Sequence, residues 1–233
     1  MQNPESSRGK PTVTEDAYHR IRSDIITGQL APGKVLRSDW MREQYDIGIS
    51  PLREALTRLT SERLIIAESQ RGFRVAPIDI GEVRDVLETR ILIETQALRR
   101  SIKLGSVEWE GRVLAAYHVL SRSKIPISGD AYSLVWIENH RNFHMALLSA
   151  SKSVWLPYLA QMLFDQSERY RALRTVIEEK AELERDVTQE HKRIVDATVA
   201  RDADEACQAL IDHYTHTSNA VVRDIEKQLM KSA

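Results

Sequence analysis

Beyond Asp79 the chain carries apolar residues at helical spacing almost without interruption to residue 233, and this most restricts what it can fold into. Six segments carry the pattern: Asp79–Ile102, Ser106–Ser123, Asp130–Ser149, Ser153–Val176, Glu178–Ala200 and Asp202–Met230. Breaks at Gly105, Pro126–Gly129, Ala150–Lys152 and Arg201–Asp204 separate them. Amphipathic helices joined by short connections bury their apolar stripes against one another, so this part is expected to be an all-α bundle of about six helices. Asp79 with Glu82 three residues on is a capping signal for the first of them.

The preceding stretch reads differently. Residues 1–10 are polar and are expected to form a disordered tail. A helix is predicted from Glu15 to Thr27, opened by the capping pair Thr12 and Glu15 and ended by Gly28, with Ala17, Ile21, Ile25 and Ile26 on one face. Pro32-Gly33 marks a turn, and a short helix follows from Ser38 to Tyr45. A third helix is predicted to start with Ser50 as cap and Pro51 in the first turn, burying Leu52, Ala55, Leu56 and Leu59. The β-branched runs LIIAES and FRVAPI, separated by Gln70-Arg71-Gly72, predict a two-stranded hairpin. Helix, helix, turn, helix and hairpin make the winged helix-turn-helix plan. The expected organisation is therefore a mainly α protein: tail 1–10, winged helix-turn-helix domain 11–78 and helical domain 79–233.

Charge supports a division of labour. The whole chain is nearly neutral, with 33 Lys and Arg against 34 Asp and Glu, which argues against a polyelectrolyte binder of nucleic acid. Yet Arg8 to Arg74 holds 12 basic and 9 acidic residues. Placement matters more than the sum: Arg37 and Arg42 belong to the second helix, Arg53 and Arg58 to the third, Arg71 and Arg74 to the hairpin, where a winged helix meets duplex DNA. The third helix's amino end, with Ser50, could also hold a phosphate. The competing reading is a solvated, ion-paired surface, in which Glu54 and Arg58 simply pair at i,i+4. The single Cys207 excludes an internal disulfide, no run approaches 18 apolar residues, and the first ten residues lack the apolar core of a signal peptide, so a cytoplasmic protein with no membrane segment is expected.

Six of the seven histidines lie in the helical part. His140 and His144 are spaced i,i+4 and can share a metal from one helical face. His191 lies on a later helix, and His213 on the last, with His216 an alternative three residues on. Two, one and one ligands from three facing helices is a workable bundle metal site.

Residues 21–78 resemble the DNA-binding domain of the GntR family of bacterial transcription regulators. The matching marks are the Gly-x-Leu-x-Pro-Gly turn at Gly28–Gly33, Pro-Leu-Arg-Glu-Ala-Leu at Pro51–Leu56 and Arg-Gly-Phe-Arg-Val at Arg71–Val75. The chain departs from the family at Gly48-Ile49-Ser50, where Ser-Arg-Thr is common. It is similar to the subgroup of carbon-starvation-induced regulators. The remainder resembles the family's fatty-acid-regulator branch, with its FCD domain, through Arg90 and Glu94, Phe143-His144, Glu190-His191 with Ile194 and Ala197, and His213. The resemblance implies a homodimeric repressor that contacts a palindromic double-stranded operator through Arg37, Arg42, Ser50, Pro51, Arg53, Arg58, Arg71 and Gly72. It implies a divalent metal on His140, His144, His191 and His213, with His140 standing where the family usually has Asp or Asn. Four imidazoles suit zinc or nickel and leave the ion's charge uncompensated, which gives a small carboxylate or dicarboxylate effector a reason to bind. Arg90 matches a position that often pairs with the effector in the family; its alternative is an ion pair with Glu94.

Two other functions remain open to the residues. A metal-dependent hydrolase with a winged-helix appendage could use zinc-bound water, but four protein ligands close such a site and Glu190 is expected to point off the ligand face. A bundle that only dimerises needs no metal at all.

Overall fold

The computed structural model describes residues 12–68, 72–124, 133–176 and 186–232. The expected tail, the hairpin tip with Arg71, the Pro126–Gly129 break and the start of the Glu178 helix lie outside the described residues. The chain divides into two compact units, one within residues 12–77 and the other from 78 onward, with the short stretch 26–28 grouping with the second.

In the first unit, α1 (Val13–Ile26) opens with the reciprocal cap that its sequence encodes: Thr12 Oγ1 accepts from Glu15 N–H at 3.2 Å, and Thr12 N–H donates to Glu15 Oε2 at 3.0 Å. Helix α2 (Ser38–Tyr45) ends at Asp46 in the left-handed region, and α3 (Ile49–Ser61) follows two residues later. The helices pack Ile21, Met41, Leu52, Leu56 and Leu59 into one core with the sheet residues Leu36 and Val75.

Two expectations change here. The hairpin of β2 (Ile65–Glu68) and β3 (Gly72–Val75) is joined by a third strand, β1 (Val35–Leu36), giving the antiparallel order β1-β3-β2. A two-residue strand has no alternation to read. It exists because the Pro32-Gly33 turn, with Gly33 at φ +77°, delivers Val35 opposite Arg74 and Leu36 opposite Phe73. The second change is at α3. Its cap is Gly48, whose carbonyl accepts from Leu52 N–H at 3.1 Å, so Ser50 is the second residue of the helix and not its cap. Pro51 is tolerated two residues deeper than expected because N–H groups of the first turn have no partner within the helix anyway.

In the second unit the described residues form six helices: α4 (Ile80–Leu104), α5 (Val107–Ser121), α6 (Leu134–Leu148), α7 (Trp155–Val176), α8 (Val187–Val199) and α9 (Ala203–Ser232). Helix α4 packs on α7 and α9, α8 on α9, and α5 on α6. Side-chain caps open most of them: Asp79 for α4, Ser133 for α6, Ser153 for α7, Asp186 for α8 and Asp202 for α9. Trp109, Phe143, Leu147, Phe164, Ile194 and Leu210 are fully buried between them. No helix among the described residues is long and apolar enough to cross a membrane.

Gly105 marks the α4–α5 corner for a steric reason. A Cβ there would lie 2.2 Å from the buried Trp109 ring and 2.7 Å from the Ser101 carbonyl oxygen. Overpacking of this kind costs about 1–3 kcal/mol. Gly105→Ala is therefore expected to lower the melting temperature by roughly 2–10 °C, measured by differential scanning calorimetry.

Candidate functional site

Helix α6 brings His140 and His144 to one face, α8 brings His191 and α9 brings His213. All four are buried, and one nitrogen from each lies within 4.8 Å of the other three. Ring centroids are separated by 4.5 to 6.2 Å. His216, one turn on, is largely exposed and stays outside the cluster.

The rings are held from behind. Glu168 Oε1 lies 3.3 Å from His140 Nδ1. Glu190 Oε2 lies 2.8 Å from His213 Nδ1, and its other oxygen is 3.2 Å from His216. The Tyr214 hydroxyl is 3.0 Å from His144 Nδ1. On His140, His144 and His213 these groups engage Nδ1 and leave Nε2 to face the centre, as the hydrogen-bond partners behind metal-binding histidines do. Burial, followed by the Arg171 guanidinium and neighbouring imidazoles, pushes His140 well below the usual histidine range. Burial and the other histidines do the same for His144. Both rings are thus neutral, the form that donates a lone pair to a metal.

The donor set fits a transition metal. With Zn–N near 2.0–2.1 Å, two ligands of a tetrahedral ion lie about 3.4 Å apart, so nitrogens that now lie within 4.8 Å of one another need to draw together by at most about 1.4 Å. Four nitrogen donors without a carboxylate match zinc or nickel and not magnesium or calcium. Asn139 donates to Ser123 Oγ at 2.7 Å and faces away.

A narrow cleft, with a volume of about 30 Å³ open to water-sized groups, abuts the cluster through His213. Its wall combines apolar Val83, Leu87 and Val221 with Arg90, Arg171, Tyr214 and the hydroxyl-bearing Ser167, Tyr170, Thr217 and Ser218. Arg90 makes the ion pair with Glu94 that was weighed for it, and it also lines the cleft. Its Nε donates to Glu94 at 2.7 Å, while its buried Nη2 makes no hydrogen bond and the side chain lines the cleft. Arg171 bridges Glu168 at 3.1 Å and the His140 ring at 3.2 Å.

Sequence reading missed Glu168 and Tyr214, and it turned Glu190 away from the site. Each reaches its histidine through interhelical register, and the only local signal is the i,i+3 spacing of Glu168 to Arg171.

In the first unit, Arg37, Arg42, Ser50 and Arg53 are exposed, and Pro51 is partly so. Ser50, Arg53 and Thr57 form one exposed stripe on α3 at i, i+3, i+7 spacing. Gly72, exposed at φ +87°, opens β3. Arg58 is drawn onto α1 instead, 3.6 Å over the Tyr18 ring and 3.7 Å from Glu62; Glu54 meets Thr14 and not Arg58. Arg74, read from sequence as a hairpin contact, ties the sheet together through Glu68 and the Gly33 carbonyl.

Comparison with known proteins agrees with this architecture. Residues 13–75 match the model of the bacterial regulatory proteins of the gntR family, and residues 85–216 match the FCD domain. The chain belongs to the GntR family, with an FCD domain. The regulator is 37% identical to the HTH-type transcriptional regulator BphR of Paraburkholderia xenovorans, over 91% of this chain and 86% of that protein. It is 33% identical to the HTH-type transcriptional repressor GlaR of Escherichia coli, over 87% and 93%. Among solved structures, E. coli McbR/YncC shares the fold with a TM-score of 0.76 at 18% identity, over 93% of this chain and all of that one. These relatives are regulators, so a winged-helix hydrolase is not what this chain is.

Proposed function

We propose that this DNA-binding regulator is a homodimeric repressor whose helical domain holds a divalent ion, zinc or nickel, and senses a small carboxylate or dicarboxylate. The supporting observation is the convergence of four buried histidines on one point, with one of them, His213, lining a cleft together with Arg90 and Arg171. His140, His144, His191 and His213 would hold the ion, which supplies a cationic docking point for a carboxylate when bound. Arg90 offers a buried guanidinium face to that carboxylate or to a second one. Val83, Leu87 and Val221 exclude water from the carbon skeleton.

One winged helix reads only a short half-site, so two copies on a palindrome give the specificity that a single module lacks. In each copy Arg37, Arg42, Ser50, Pro51, Arg53, Arg58, Arg71 and Gly72 form the candidate DNA surface, with Ser50 and Arg53 at base edges and the others positioning the backbone. The effector acts by favouring the conformation with weaker operator affinity, which requires it to bind the two states unequally.

The test is selection of duplexes from a random pool by metal-loaded protein, followed by anisotropy titrations with a panel of carboxylates. Enrichment of a palindrome, released by at least one acid and not after chelation, supports the reading. Failure to enrich any sequence contradicts the DNA part; an acid panel that leaves operator affinity unchanged contradicts the sensing part.

A further inference from the structure

A hydrogen-bonded chain runs from the cleft wall to the histidine cluster, and its proton order can be worked out from the partners alone. Arg90 Nε donates to Glu94 Oε1 at 2.7 Å. The Tyr214 hydroxyl is 2.5 Å from Glu94 Oε2 and 3.0 Å from His144 Nδ1. Arg90, Glu94, His144 and Tyr214 are all buried, and the Arg90 guanidinium lies 4.0 Å above the Tyr214 ring.

A carboxylate paired with a guanidinium can only accept. The phenol has one proton, and the contact with Glu94 requires it, since two bare acceptor oxygens would repel at that distance. The phenol oxygen can then only accept from His144, so the proton between them belongs to His144 Nδ1. The lone pair of His144 is therefore on Nε2, the nitrogen that lies 3.0 Å from His140 Nε2 inside the cluster.

We propose that Tyr214, oriented by Glu94, is a positioning residue that commits His144 to its metal-binding tautomer and joins the four-histidine centre to the Arg90 wall of the cleft. This rests on the reading that the four histidines hold a metal. Tyr214 and Arg90 both line the cleft. A ligand that draws Arg90 away from Glu94 therefore acts on the same chain of hydrogen bonds that orients His144.

Two measurements on the full-length protein test this. In the zinc-free wild type, ring ¹⁵N shifts of His144, assigned by comparison with His144→Gln, should show protonated Nδ1 and bare Nε2. Tyr214→Phe, which removes only the hydroxyl, should move His144 toward the Nε2-protonated form. It should also weaken zinc binding by about 10–100-fold, the usual effect of losing a partner behind a histidine ligand, read by competition with a chromophoric chelator. A purely structural tyrosine would lower the melting temperature of zinc-free and zinc-loaded protein alike and leave the tautomer unmoved. Protonated Nε2 in the wild type, or equal zinc affinity in the two proteins, overturns the inference while leaving the metal reading intact. Absence of zinc binding by the wild type overturns both.

Discussion

His144→Ala is expected to weaken zinc binding by roughly a hundredfold or more. Tight structural zinc sites are worth about 10–16 kcal/mol, which over four ligands is about 3 kcal/mol each, and 1.4 kcal/mol is tenfold. His144 is central to the cluster: it is fully buried, touches His140 at 3.0 Å and carries the Tyr214 contact. Alanine removes the ligand and leaves a cavity among the buried rings of His140, His191 and His213. Zinc should raise the melting temperature of the wild type, because it binds the folded and not the unfolded chain, and should leave the variant nearly unmoved. Calorimetry with and without zinc reads both outcomes. His216→Ala is the matched control. Its ring is exposed and outside the cluster, so its zinc response should equal that of the wild type.

Arg53→Ala should abolish specific operator binding at ordinary salt. Arg53 is exposed on α3 beside Ser50, on the stripe the helix presents away from its core. A side chain reading a base edge is worth about 1–3 kcal/mol, and a dimer loses two of them, which amounts to roughly 30-fold to 10⁴-fold. Non-specific affinity should fall far less, since it rests on phosphate contacts shared among Arg37, Arg42 and others. Arg58→Ala should behave differently. That guanidinium stacks on Tyr18 and pairs with Glu62, so its removal should lower stability by about 0.5–1 kcal/mol and operator affinity less than Arg53→Ala does. Anisotropy titrations against specific and random duplexes at several salt concentrations separate the two variants.

The extent to which these features could be read from sequence follows the range of the interactions that create them. Capping of α1 and α4 is local, with Thr12, Glu15, Asp79 and Glu82 within three residues of their partners, and both were legible. The pairing of His140 with His144 is also local, one turn of one helix. Strand β1 was not legible, because its two residues carry no periodicity and it forms only where the Gly33 turn meets β3. The start of α3 was misread by two residues because Ser50-Pro51 is a strong opening signal and Gly48 a weak one, yet the first acceptor is the Gly48 carbonyl. Glu190 was misjudged for a further reason. Helical geometry turns it away from His191 on its own helix, and the partner it does hold, His213, sits on the neighbouring one.

The near neutrality of the whole chain has a physical consequence as well. Net charge so close to zero gives little long-range attraction to DNA, so under the proposed function affinity would depend on the fit of exposed groups such as Arg53 and on two copies acting together.

The most direct test is the metal content of the full-length protein, purified without added metal or chelator, dialysed and measured by mass spectrometry of the elements. About one zinc or nickel ion per chain is predicted from four converging imidazoles, reduced to background in His144→Ala. A wild-type protein that carries none, and takes up none after incubation with zinc, would contradict the account at its centre.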